Sequence, residues 1–165
     1  MDTPGPMDIK DVFKDRLAPQ ARLLGLDVGT KTVGLALSDV LRTIATPLET
    51  IRRTKFQADA RRLAEICRDH QVGGLVLGLP VSMDGTQGPK CQSVRQFAQN
   101  LLDAWAGTDL AGLPMAFWDE RLSTAAVERV LIGAADMTRA RRKAVVDKMA
   151  AAYILQGALD ALARP

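Results

Sequence analysis

Hydrophobic positions along the chain change their spacing after residue 55, and the change separates two kinds of element. Before it, apolar residues fall in three short runs, 22–28, 32–37 and 43–51, divided by the turn residues Gly29-Thr30-Lys31 and Ser38-Asp39. Short runs rich in Leu, Val and Ile and joined by tight turns predict an antiparallel meander of three strands. Pro47 places the third run at a sheet edge or a bulge, because proline donates no ladder hydrogen bond.

After the change, Ala60, Leu63, Ala64 and Cys67 recur at helical spacing and predict a helix over 56–70. The continuous apolar run 74–79, stopped by Pro80, has the pattern of a strand buried on both faces. Val94, Phe97, Ala98, Leu101 and Leu102 predict a helix over 92–105, and 114–118 is a further buried strand. Ser123 is suited to cap a helix over 123–132 that Gly133 ends, and a last helix spans 139–163. The order βββ-α-β-α-β-α-α makes the chain α/β. It predicts a mixed sheet of five strands, the antiparallel meander plus two parallel strands, with helices packed on it. In such open sheets ligands bind beyond the carboxyl ends of the strands.

Residues 1–20 carry Pro4, Pro6, Pro19 and many charges, and are expected to form an N-terminal arm, disordered or with one helical turn around 9–17. The domain proper is then 21–165. At 165 residues, 47% apolar and 25% charged, the chain suits one soluble domain with a real core. A net charge of +3 permits nucleic acid as a partner, while 4% aromatic residues argue against gripping single strands mainly by stacking. No apolar run approaches the roughly 20 residues of a membrane span, and the early acids are unlike a secretory signal. Cys67 and Cys91 lack metal-ligand spacing and His70 is the lone histidine, so reduced thiols, no zinc and a cytoplasmic location are expected.

Acidic residues at strand ends carry the candidate chemistry. Asp27 closes the first run, Asp119 and Glu120 follow the last one, and Asp147 lies inside the final helix. A carboxylate at the end of a core strand is costly unless something cationic sits against it. Asp147 heads a stripe of small apolar residues, Ala150, Ala151, Ile154 and Ala158, which should press closely on the sheet. Its plainer alternative is a surface pair with Lys143 four residues before it. Strand alternation lets only one of Asp119 and Glu120 face the site, and spacing alone leaves the choice open. Oxygen ligands of this kind suit Mg²⁺ or Mn²⁺. Lys31, beside Gly29, and Arg121 are candidate phosphate contacts, as are Arg139, Arg141, Arg142 and Lys143 ahead of Asp147. For each, a solvated turn or charged face is the ordinary alternative. The Gly-rich stretch 78–89 follows a buried strand and opens a helix whose N-terminus would favour an anion, with a plain Asp84-Gly85 turn as its alternative.

Four segments in order, LLGLDVGTKTVGLALSD, GGLVLGLPVSMDGTQGP, DERLSTAAVERVL and VDKMAAAYILQGALD, resemble the YqgF family, also called RuvX. Its members are described as pre-16S rRNA nucleases and Holliday-junction resolvases. The resemblance covers about 22–160 and implies an RNase H-like fold and a metal-dependent nuclease acting on structured RNA or branched DNA. By position it makes Asp27, Glu120 and Asp147 the catalytic and metal-binding acids, with Asp119 as the fallback for the second. Thr32 departs from the Arg that many members carry after the Lys, which touches only a peripheral phosphate contact. The resemblance also implies trimming of the 5′ region of 16S rRNA precursor as the leading function. Cleavage of Holliday junctions and a catalytically weak nucleic-acid-binding module are its rivals. A phosphotransferase of the actin and sugar-kinase type shares the DxGT turn but needs two such halves. Monomer and homodimer both remain open, a branched substrate favouring the dimer.

Overall fold

The computed structural model describes residues 9–123 and 138–165. Five strands form one sheet in the order β3-β2-β1-β4-β5: β1 Arg22–Val28, β2 Thr32–Ser38, β3 Ala45–Arg52, β4 Val72–Leu79 and β5 Met115–Asp119. β1, β2 and β3 pair antiparallel, while β4 and β5 run parallel to β1. The meander and the two parallel strands are therefore as the hydrophobic pattern requires. Pro47 sits on the edge strand β3, opposite Ala36, where the register slips. Helices α1 Ile9–Phe13, α2 Phe56–Asp69, α3 Pro89–Trp105 and α4 Arg139–Ala163 complete the described fold. The helix expected over 123–132 lies outside the described residues beyond Ser123.

Strand alternation divides the core into two layers. Leu24, Leu26, Val33, Leu35, Leu75 and Leu77 face α2 and α3, meeting Leu63, Cys67, Phe97 and Leu101. Leu23, Ala36, Val76 and Ala116 face the other way, against Ala151, Ile154, Leu155 and Ala158 of α4. Burial of Cys67 in the first layer pushes its thiol up to about 12, which makes it an inert core residue.

The α4 layer is unusually close because the sheet presents glycines to it. A Cβ on Gly34 would lie 2.1 Å from the Asp147 carbonyl oxygen, and one on Gly25 would lie 3.0 Å from that of Ala151. At Gly78 the Ile154 side chain would be met at 2.5 Å, and Gly157 of the helix itself backs onto the Trp118 indole. Thr50 on β3 hydrogen-bonds the Ala144 carbonyl at 2.6 Å. Ala144, Asp147, Ala151, Ile154 and Gly157 thus meet β3, β2, β1, β4 and β5 in turn. The helix crosses the sheet diagonally, with about one turn for each strand.

Residues 9–13, expected within an arm, are packed on the domain. Ile9 and Phe13 are buried in the α4 layer, and the Phe13 ring occupies the space that a side chain at Gly74 would take. Two apolar side chains with a glycine groove to fill are sufficient reason for this short helix to dock. Residues 1–8 lie outside the described residues.

Candidate active site

The carboxyl end of β1 places Asp27 on the α4 face, in phase with Leu23 and Gly25. Its partner across β2 is Gly34, the residue on which the Asp147 backbone rests. On its other side, one residue past the Leu26–Leu77 pair, lies Gly78 of β4. A Glu120 carboxyl oxygen comes within 3.0 Å of the position a Gly78 Cβ would take. Asp147, Asp27 and Glu120 therefore belong to one row across β2, β1 and β4, at the strand ends where such sheets hold their ligands. The glycines on either side of Asp27 are what give the flanking acids room to approach it.

Burial differs along this row. Asp147 is 5% exposed and Glu120 8%, whereas Asp27 is half-buried. The Thr32 hydroxyl donates a hydrogen bond to Oδ2 of Asp147, and Lys143 Nζ lies 3.3 Å from each of its carboxylate oxygens. The pair with Lys143 set out above as the plain alternative is therefore present, although the acid is buried and does not lie on the surface. The acids share a row without closing on one point: among the described residues no set of three His, Cys, Asp or Glu side chains is grouped tightly enough to hold a metal ion. The donor chemistry suits a hard divalent cation.

Asp119 has a different surrounding. Its carboxylate takes a two-pronged contact from Arg121, with Nη2 at 2.7 Å, and accepts the Arg121 backbone N–H at 2.9 Å. The guanidinium beside it holds the Asp119 carboxyl below the usual carboxylate range. Strand alternation alone leaves Asp119 or Glu120 open. The structure commits Asp119 to capping the 3₁₀ turn Glu120–Leu122 and turns Glu120 toward Gly78. Arg121 holds Asp119 through this contact while its side chain stays 35% exposed.

Lys31 is exposed in the turn next to Asp27. Arg139, Arg141 and Arg142 form the first turn of α4, which contains no acid. A helix N-terminus favours negative charge, by roughly 0.3–1 kcal/mol per residue, so these cations stand where helix stability would place acids. The 80–88 loop takes its plainer form: Asp84 accepts from Thr86 N and Oγ1 at 3.0 and 2.7 Å, around Gly85 in the left-handed region at φ 89°. A cavity of about 420 Å³ lined by Arg22, Leu37, Asp39 and Ile44 lies at the opposite end of β2 and holds none of the acids.

Two residues escaped the sequence. The motif pattern leaves Thr32 only a peripheral role, yet it touches Asp147 across 115 positions of chain. Arg53 pins the turn beside Asp27, with its backbone N–H on the Lys31 carbonyl at 2.8 Å and Nη1 on the Gly29 carbonyl at 2.6 Å. Its guanidinium also lies 5.2 Å from the Phe97 ring centre. Nothing in local spacing signals either contact.

Comparison with known proteins places the chain among relatives and solved structures of one kind. The profile of the RuvX family, described as Holliday junction resolvase, matches residues 21–161. A Rhodospirillum rubrum protein named "Putative pre-16S rRNA nuclease" is 57% identical over 159 residues, spanning 96% of this chain and 95% of its own. One of the same name from Paramagnetospirillum magneticum is 63% identical over 144 residues, 87% of this chain and 88% of its own. Among solved structures, T. thermophilus RuvC in complex with a Holliday junction substrate superposes with a TM-score of 0.53 at 17% identity, covering 86% of this chain and 94% of that one. The yeast mitochondrial Holliday junction resolvase Ydc2 gives 0.50 at 12% identity, over 94% and 84%. These two likenesses establish a shared RNase H-like fold.

Proposed function

The chain belongs to the RuvX family, and from that membership we propose that it is a divalent-metal-dependent nuclease that hydrolyses phosphodiester bonds and trims the 5′ region of small-subunit ribosomal RNA precursor. Asp147 carries this assignment. Removing a carboxylate from water costs several kcal/mol. An exposed partner four residues away returns about 0.3–0.5 kcal/mol, and one hydroxyl donor to a charged group returns about 1.5–3. Lys143 is 55% exposed, and it precedes the acid, the weaker order along a helix. The local contacts therefore leave the buried acid short of positive charge, in a row with two further acids. A divalent cation is the ligand that chemistry would accept.

Asp27 at the centre, Glu120 and Asp147 would hold Mg²⁺ or Mn²⁺, with Lys143 giving way. Bound there, such ions supply an activated water and charge compensation at the leaving oxygen. The chain's own contribution is to place oxygen ligands on β1, on the 3₁₀ turn after β5 and on α4, which the sheet glycines lock against β2 and β1. Arg139, Arg141 and Arg142, with Lys31 in the turn after β1, supply the cationic approach for a phosphate backbone. The relatives' names support RNA as substrate, and the family's description supports a second assignment, cleavage of four-way DNA junctions.

Purified protein with Mg²⁺ or Mn²⁺ should shorten a 16S rRNA precursor at its 5′ side and leave a synthetic four-way junction intact. The opposite preference selects the second assignment, and cleavage of neither substrate with either ion defeats the nuclease proposal. Replacing Arg139, Arg141 and Arg142 together by Gln should lower the slope of log affinity against log salt by about 2 to 3, as expected for three lost phosphate contacts. A slope equal to the parent's clears these residues of any backbone contact.

A further inference from the structure

Thr32 stands at the start of β2 with both of its backbone sides occupied. Its carbonyl accepts the Gly29 N–H at 2.9 Å, and its neighbour across the edge is Arg52. A β-branched side chain on such a strand has little rotamer freedom, so the hydroxyl is a fixed donor. It is aimed at Oδ2 of Asp147, whose backbone is itself pressed on Gly34 two residues along the same strand. One strand thus holds the acid twice, at the main chain through Gly34 and at the carboxylate through Thr32. Lys143 cannot serve as the second fixed point, because its side chain is 55% exposed and flexible.

We propose that Thr32 is a positioning residue: its hydroxyl orients the Asp147 carboxylate for the divalent cation. It takes up one of the roughly four lone-pair positions of the carboxylate and leaves the rest for the ion. The proposal rests on the metal-dependent assignment above. A neutral donor is suited to the task, since it orients the carboxylate without cancelling the charge that attracts the ion. Hydrogen-bonding partners of metal ligands commonly change metal affinity by about 10- to 100-fold when removed.

The test is Mn²⁺ titration of the parent, Thr32→Val, Thr32→Ser and Asp147→Asn, followed by calorimetry and by the electron-spin signal of the free ion. Thr32→Val keeps the shape and loses the donor, and should bind Mn²⁺ about tenfold more weakly, while Thr32→Ser stays within about twofold of the parent. In cleavage assays the Val variant should lose kcat at saturating Mn²⁺ with little change in KM for nucleic acid, a split that a merely structural role would not give. Val and parent binding Mn²⁺ equally, with binding abolished in Asp147→Asn, overturns the role of Thr32 and leaves the metal site standing. Parent and Asp147→Asn binding equally overturns both. Should the Val variant not fold, Thr32→Ala against Thr32→Ser carries the same comparison, and equal affinities there reject the proposal.

Discussion

Asp147→Asn is expected to lower kcat by about a thousandfold while thermal stability stays equal to the parent's or rises. The two effects have opposite sign because one carboxylate serves two purposes. For folding, the buried charge is a liability: desolvation costs several kcal/mol, and an exposed Lys143 offsets only a small part of it. An amide of the same shape removes that cost and still accepts from the Thr32 hydroxyl. For catalysis, the loss of one anionic ligand from the row removes about 4 kcal/mol of electrostatic stabilisation, which is about three decades in rate. Paired measurements of melting temperature and single-turnover cleavage check both signs. An inactive variant that melts well below the parent would make Asp147 a structural anchor, and an active one would dissolve the site.

Gly34→Ala should damage both properties at once. The added methyl would stand 2.1 Å from the Asp147 carbonyl oxygen and 2.3 Å from its carbonyl carbon, which are helix backbone and not a yielding side-chain tip. α4 must therefore retreat from β2. Overpacking of this kind costs about 1–3 kcal/mol, or roughly 2–12 °C in melting temperature for a domain of this size. The retreat also carries the Asp147 carboxylate away from Asp27, and a misplacement near 1 Å costs about a hundredfold in rate. Gly25→Ala meets the Ala151 carbonyl at 3.0 Å and the Leu155 Cβ at 2.7 Å, farther along the helix from the acids. It should destabilise with a smaller loss of activity. Thermal unfolding and cleavage of the two variants side by side test the ranking; equal activity losses would show that the helix yields as a whole and not locally at Asp147.

Much of the architecture was legible because the relevant physics is local. Alternating apolar runs with short turns specify a meander, and Pro47 marks its edge because a missing N–H has the same consequence in any fold. The stripe Ala150, Ala151, Ile154, Ala158 announced close packing of α4, and each of these side chains is buried. The three acids were legible as a set only through the order of four motifs, since spacing left Asp119 and Glu120 equivalent. Arg121 and Lys143 each pair with an acid close by in the chain. Asp119 lies two residues before Arg121 and Asp147 four residues after Lys143, so both contacts are local, and the second stands among the alternatives read from the sequence.

By itself the sequence determined the five strands, their order, the sheet's mixed character and the family, because periodicity, turn chemistry and motif order are properties of neighbouring residues. Only the tertiary structure decided how the acids line up. Gly25, Gly34 and Gly78 read as ordinary strand glycines until α4 is laid diagonally across them, and Thr32 reads as a departure from a motif until Asp147 arrives from 115 residues away. The reason is that a hydrogen bond or a steric gap depends on distance in space, and a diagonal helix crossing five strands brings together positions that no period along the chain connects.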